Sequence, residues 1–143
     1  MTTRTQQHFV VVPLTIEGSH HMTVEATLAG KPARFILDPG SGATIVDMAA
    51  ATRYGLRLER SSSEGGGIGS STTPMRYVGS QHRLRLGAVD LSRMRLQAID
   101  LSAVNEMRKR KKKAPVAGLI GADILTSRQA VIDYGRSVLL IAD

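Results

Sequence analysis

Residues 35–44 read FILDPGSGAT: Phe35, Ile36 and Leu37 run directly into Asp38, and the chain then passes Pro39, Gly40, Ser41 and Gly42 before Ala43 and Thr44. A short apolar run stopped by turn residues reads as a buried strand. Pro39 fixes its own φ and biases Asp38 toward an extended backbone, while Gly40 lacks a Cβ, so the strand breaks sharply after the carboxylate. A charge placed at such a break either starts a turn or faces a partner and a substrate.

Working outward, apolar and polar residues alternate with period two over Phe9 to Ile16 and Met22 to Leu28, which predicts two strands joined by a hairpin turn at Glu17-Gly18-Ser19-His20. Ala29-Gly30-Lys31-Pro32 turns the chain into the strand Ala33 to Leu37. Beyond the Asp38 turn, Val46 to Tyr54 is rich in helix formers and stops at Gly55. SSSEGGGIGSSTTP, residues 61–74, is a low-complexity stretch expected as a mobile loop or the tip of a long hairpin. Strands are expected at His82 to Leu86 and Leu91 to Ile99, around a turn at Gly87-Ala88-Val89-Asp90, and a second helix at Leu101 to Met107. VAGLIGADIL, residues 116–125, reads as an apolar strand ending at Gly121 with a helix starting at Asp123. Ala130 to Ile132 and Val138 to Ile141 close the chain around a turn at Asp133-Tyr134-Gly135-Arg136. The expectation is one mostly β domain over 1–143, with two or three short helices and a flexible N-terminus over 1–8.

Two of these stretches together resemble the signatures of retropepsin-like aspartic proteases. FILDPGSGAT is similar to their apolar-apolar-Asp-Thr/Ser-Gly-Ala/Ser turn, and Leu119-Ile120-Gly121 to their apolar-apolar-Gly signature. Gly118 to Leu125 and Ile132-Asp133-Tyr134 resemble the G-L-L-G-x-D-x-L and Ile-Asp-Tyr pattern of the bacterial branch. The resemblance runs from about Thr23 to Leu140. It implies a retropepsin-like acid protease β-barrel working as a homodimer, in which each copy supplies one catalytic aspartate, Asp38. Pro39, Gly40 and Ser41 would form the active-site loop, with the Ser41 hydroxyl beside the carboxylate. Gly65, Gly66, Gly67 and Ile68 would form the substrate-binding flap, and Leu119, Ile120 and Gly121 would support the loop.

The family carries Thr or Ser where this chain has Pro39. In the relatives that hydroxyl and its backbone N–H interlock with the partner chain, and proline has neither donor. The resemblance therefore leaves two readings: an aspartic endopeptidase, or a catalytically degenerate dimerisation or peptide-binding module. Asp133-Tyr134-Gly135 also spells Asp-x-Gly, but its polar hairpin setting makes it a turn. Asp123 is expected to cap or charge a helix N-terminus.

Composition narrows the remaining classes. With 143 residues and 42% hydrophobic content the chain suits one domain, and 3% aromatics with no Trp argue against a base-stacking surface. The absence of Cys removes disulfides, thiolate zinc sites and cysteine nucleophiles. His20 and His21 are adjacent in a turn without spaced partners, and His8 and His82 fit no ligand pattern, so neither a metal nor a cofactor is expected. MTTRTQQHFVVVPL lacks the apolar core of a signal peptide, and no apolar run approaches the roughly 20 residues of a membrane span, so a soluble cytoplasmic protein is expected, with a peptide or protein substrate as partner. The net charge is +7, yet Arg108, Lys109, Arg110, Lys111, Lys112 and Lys113 stand in one row, and without them 13 basic residues face 12 acidic ones. This tract is expected as a solvated basic loop over 108–115. Its functional alternatives are an anion-binding hold on RNA, DNA or an anionic surface and, from its place before the second signature, selection of acidic substrates.

Overall fold

The computed structural model describes residues 7–60 and 75–143. Alternation builds β1 (Phe9–Ile16), which buries Val12 and Leu14 while Val11, Pro13 and Thr15 face solvent. It pairs antiparallel with β2 (Met22–Leu28), and β2 pairs along its whole length with β3 (Lys31–Leu37), from Met22 opposite Leu37 to Leu28 opposite Lys31. Ala29 and Gly30, both at positive φ, make the two-residue turn. β3 starts two residues before the apolar run because Lys31 and Pro32 already pair, at the exposed end of the strand.

The chain continues through β4 (Ile45–Asp47), α1 (Met48–Arg53), β5 (Leu58–Arg60) and β6 (Arg76–Val78). A 3-10 turn at Ser80–His82 leads into β7 (Arg85–Leu86), β8 (Val89–Asp90) and β9 (Gln97–Ile99). α2 (Ser102–Arg110), β10 (Gly118–Ile120), α3 (Ala122–Ser127), β11 (Val131–Asp133) and β12 (Val138–Ala142) complete it. The fold is mostly β with three short helices. Several expected elements differ from their sequence patterns. The strand expected over His82 to Leu86 is reduced to β7, because His82 belongs to the 3-10 turn and Arg83 is at positive φ. Val89 and Asp90, expected in the turn, pair with β7 as β8. The first helix starts at Met48 because Val46 and Asp47 pair with β9 in β4. The strand expected over Leu91 to Ile99 is reduced to β9, because the Asp90 carboxylate accepts the Ser92 N–H at 2.9 Å and the Leu91 carbonyl accepts the Met94 N–H at 3.0 Å, which turns the chain first.

Strand order runs β11-β12-β1-β2-β3-β10-β4-β9-β6-β5, with β7 on the far end of β2 and β8 on β7. Among the described residues the ladder is open, which corrects the closed barrel expected from the sequence. The edges are consumed by strands that change partner. β1 gives Phe9 to Pro13 to β12 and Leu14 to Ile16 to β2, and β2 turns Thr27 to β7, so β5 and β11 stay unjoined.

The decisive topological feature is β10, which lies between β3 and β4, parallel to the first and antiparallel to the second. Its Gly118 sits where a Cβ would overlap the Ile45 carbonyl oxygen and stand 2.8 Å from the Phe35 ring. Because β3 and β4 are consecutive in sequence but separated by β10, residues 38–44 must cross over the end of β10. Phe35, Val46, Ala98 and Ile120, none of them exposed, form the core beneath this crossing.

His82, 1% exposed, closes the opposite side. The Leu84 N–H donates to its Nδ1 at 3.0 Å, so the ring proton sits on Nε2, which donates to the Met94 carbonyl at 2.9 Å. Burial pushes its pKa below the ordinary 6.5. The unfolded chain therefore takes up a proton that the folded chain refuses, and this contribution to stability, complete above pH 6.5, is lost as pH falls. Urea unfolding of the wild type should show stability declining below pH 6.5, with a flatter slope in His82→Asn. An unchanged slope in the variant assigns the titration to another group.

Candidate active site

Asp38 is half-buried at the end of β3, and its N–H donates to the Ile120 carbonyl at 2.9 Å, extending the pairing with β10 by one residue. Asp38, Pro39, Gly40 and Ser41 form a β-turn closed by the Ser41 N–H on the Asp38 carbonyl at 3.1 Å. Pro39, joined to Asp38 by a trans peptide bond, occupies the second turn position, where its fixed φ is suited. The Gly40 N–H donates to Asp38 Oδ1 at 3.0 Å, and among the described residues this is the one hydrogen bond that the carboxylate accepts. A Cβ at Gly40 would stand 3.3 Å from that oxygen, tighter than ordinary contact. The Ser41 hydroxyl donates to the Ala43 carbonyl at 2.8 Å, so its proton is committed within the loop instead of to Asp38.

The loop rests on the second signature. Ile120 is fully buried, Leu119 pairs with Ile36 and Ile45, and a Cβ on Gly121 would overlap the Ala43 carbonyl oxygen and lie 2.7 Å from the Ser41 oxygen. Glycine is required there by the close approach of two backbones. A polar clamp fixes the same contact. Thr44, fully buried, accepts the Gly121 N–H on its hydroxyl at 3.0 Å and donates that hydroxyl to Asp123 Oδ1 at 2.7 Å, while its N–H donates to Oδ2 at 3.0 Å. Asp123 also accepts the Ile124 N–H at 2.8 Å, at the start of α3. The sequence reading found this last role and missed Thr44. The available signal was the spacing, with Thr44 closing the first signature and Asp123 two residues after Gly121.

Asp133 lies in β11 where the closing hairpin turns, and accepts the Arg136 N–H and guanidinium at 2.9 Å each. These hydrogen bonds hold its carboxyl below its ordinary value, as for a turn aspartate. Beside Pro39 an open concavity of about 400 Å³ is lined by Ala122, Leu125, Ala130 and Ile132 among others. Gly65, Gly66, Gly67 and Ile68 lie outside the described residues. The flanks of their segment, β5 and β6, pair antiparallel with Leu58 opposite Val78. Among the described residues no group of three His, Asp or Glu is placed to hold a metal ion, and no helix is long and apolar enough to cross a membrane.

The basic tract differs from the loop expected over 108–115. α2 continues through Arg110, so the tract begins inside a helix, where cations suit the C-terminal end. Arg108 is 5% exposed, and its guanidinium donates to both Glu17 oxygens at 2.9 and 3.1 Å and to the Ala114 carbonyl at 2.8 Å. The Arg108 hydrogen bond holds the Glu17 carboxyl below its usual value. Lys113 donates to the Ser19 hydroxyl at 2.9 Å and stands 3.8 Å from Glu17. Arg108 is thus a structural ion pair rather than an anion-binding residue, and Lys113 is tied to the same turn. Lys109, Arg110, Lys111 and Lys112 stay exposed.

Thr44→Val should lower stability by about 2 to 4 kcal/mol in chemical denaturation, because it leaves the Gly121 N–H and an Asp123 oxygen unpaired. Gly121→Ala should unfold the protein or displace the loop. Gly42→Ala, whose Cβ would meet nothing within 4 Å, is the matched control and should remain near wild type. Equal stability of the two glycine variants would refute the close approach.

With this geometry established, residues 24–124 match a family described as Aspartyl protease. Among solved structures, the chain is similar to a retropepsin-like aspartic protease from Rickettsia conorii, with TM-score 0.56 and 12% identity over 96% of this chain and 92% of that one. The retroviral protease-like domain of Ddi1 from Leishmania major gives TM-score 0.55 and 18% identity over 92% and 89%. The EIAV protease complexed with the inhibitor HBY-793 gives 0.51 and 19% over 79% and 92%. At these identities the likeness is one of fold. A comparison with curated protein sequences gives no significant match.

Proposed function

The chain belongs to the aspartyl protease family, and from that premise we propose that it is an endopeptidase whose catalytic dyad is made of Asp38 from two copies. The observation that carries the proposal is the setting of Asp38. It ends a buried strand, its turn is closed by its own backbone, and its carboxylate accepts a single hydrogen bond among the described residues.

Amide hydrolysis by aspartates needs two carboxyl groups so close that both cannot ionise, and the proton then belongs to the pair. The protonated member donates to the scissile carbonyl oxygen while the ionised member takes a proton from the attacking water. When the tetrahedral carbon collapses, the C–N bond breaks and the amine leaves with a proton returned by the dyad. Asp123, in the second signature, is committed to Thr44 and Ile124, and Asp133, in the other Asp-x-Gly, to Arg136, which supports taking the second acid from a second copy. In this reading Gly65, Gly66, Gly67 and Ile68 are assigned to a flap over an extended peptide that adds as a strand.

Pro39 favours a second reading. It keeps the turn closed without help from a partner, yet it offers no hydroxyl or N–H to tie two copies together beneath the acids. A dimer of this chain must be held elsewhere, and a weakly held one would bind peptides without cutting them.

The test is cleavage of a mixed peptide library from pH 3 to 7 by wild type, Asp38→Asn and Pro39→Thr, with sedimentation of each. Cleavage by the wild type that disappears in Asp38→Asn is the expected result. Cleavage surviving in Asp38→Asn removes that carboxylate from the mechanism, and a strict monomer with substrate present removes the dyad. An inert wild type awakened by Pro39→Thr establishes the second reading.

A further inference from the structure

The registers of β1, β2, β3 and β10 bring Ile16, Met22, Leu37 and Ile120 side by side. The Glu17–His21 turn therefore flanks the same end of the sheet as Asp38, two strands away. At about 4.8 Å between strands, the backbones of Glu17 and Asp38 are separated by roughly 10 Å.

That turn holds the basic tract. Glu17 takes two hydrogen bonds from Arg108, and Ser19 takes one from Lys113, so both ends of the six-residue tract are fastened beside the Asp38 end of the sheet. The residues between them are ordered as well. The Lys113 N–H donates to the Arg108 carbonyl at 2.9 Å and the Lys112 N–H to that of Lys109 at 3.0 Å, with Lys112 at φ 59°. Lys109, Arg110, Lys111 and Lys112 are exposed and form no salt bridge among the described residues. Glu106, three and four positions before Lys109 and Arg110 in α2, forms no salt bridge with them, and Glu17 is already shared by Arg108 and Lys113. Four cations without a salt-bridge partner among the described residues are thus displayed on a fixed scaffold close to the site.

We propose that Lys109, Arg110, Lys111 and Lys112 are specificity-determining residues that select peptide substrates carrying Asp or Glu three to five positions from the scissile bond. The spacing follows from an extended peptide, which covers about 3.3 Å per residue and so spans roughly 10 to 17 Å over those positions. The inference rests on the proteolytic reading of Asp38. A peptide suits the surface better than a nucleic acid, because the cations cluster at the end of α2 and in the turn that follows it, with no aromatic side chain in the tract on which a base could stack.

Two peptides identical except for Asp or Asn at those positions give the test. Wild type at low salt should favour the acidic peptide in kcat/KM by about tenfold, the order expected of two or three exposed ion pairs. The preference should shrink toward one at 0.5 M salt. It should vanish in the variant carrying Lys109→Gln, Arg110→Gln, Lys111→Gln and Lys112→Gln, with turnover of the Asn peptide unchanged. Arg108 and Lys113 are kept because they hold the turn. The pair Lys111→Gln and Lys112→Gln, outside the helix, replaces the fourfold variant should that fail to fold, and should lose part of the preference. In parallel, fluorescence anisotropy on Asp38→Asn compares both labelled peptides and a single-stranded RNA of equal charge.

Equal turnover of the two peptides by wild type overturns the inference and leaves the protease intact, as does a preference that survives the substitutions. Tighter tract-dependent binding of RNA than of the acidic peptide also overturns it. With no cleavage of either peptide, tract-dependent binding of the acidic one by Asp38→Asn means that the catalytic reading has failed and the selectivity stands; equal binding of both peptides means that both have failed.

Discussion

Gly121 lies under the loop that carries Asp38 so closely that a single methyl group would overlap the Ala43 carbonyl oxygen. Around this contact the rest of the site is arranged. The crossing of residues 38–44 over β10 requires bare backbone on the lower side. The N–H of Gly121 would lose its water there, and the Thr44 hydroxyl supplies the acceptor that replaces it. Asp123 in turn orients Thr44 through both its oxygens. A carboxylate, a hydroxyl and a glycine from two distant parts of the chain thus form one hydrogen-bonded unit, and Asp38 is positioned by the loop that this unit holds down.

The acids of the molecule divide by what their donors join. Glu17 receives two guanidinium hydrogen bonds and Asp123 receives three donors. Asp47, 3% exposed, receives the Leu101 N–H at 2.9 Å just ahead of α2. These carboxylates are buried or half-buried and their charge is engaged in joining segments, as buried ionised groups must be. Asp38, with its one donor from Gly40, keeps acceptor capacity. Glu17, Asp47 and Asp123 each tie distant segments together, whereas the one donor on Asp38 comes from its own turn.

Much of this was legible in the sequence where the signal was local. The alternation of Phe9 to Ile16 and Met22 to Leu28 gave β1 and β2 at their observed ends, because each strand has one buried face. The break after Leu37 and the glycine ending Leu119-Ile120-Gly121 marked the two backbones that meet. What stayed hidden depends on residues far apart. Arg108 looked like one of six solvated cations, and only its partner Glu17, 91 positions earlier, makes it a buried ion pair. Closure of the sheet was misread for a related reason. Pro13 and Leu14 give no local sign that β1 changes partner between them, from β12 to β2. Leu91 to Ile99 alternates like a strand, but Asp90 diverts its first residues into a turn by a side-chain hydrogen bond that periodicity does not register.

The insertion of β10 between β3 and β4 has a consequence for synthesis. Thr44 meets Gly121 and Asp123 after 77 and 79 intervening steps along the chain, and β3 lacks a neighbour on one edge until Gly118–Ile120 has been made. A ribosome therefore releases the acidic turn long before it releases the segment that shapes it. The nascent polypeptide carries Asp38 without its supporting strand until residues 118–121 have been made, and insertion of that later strand completes the support of the loop.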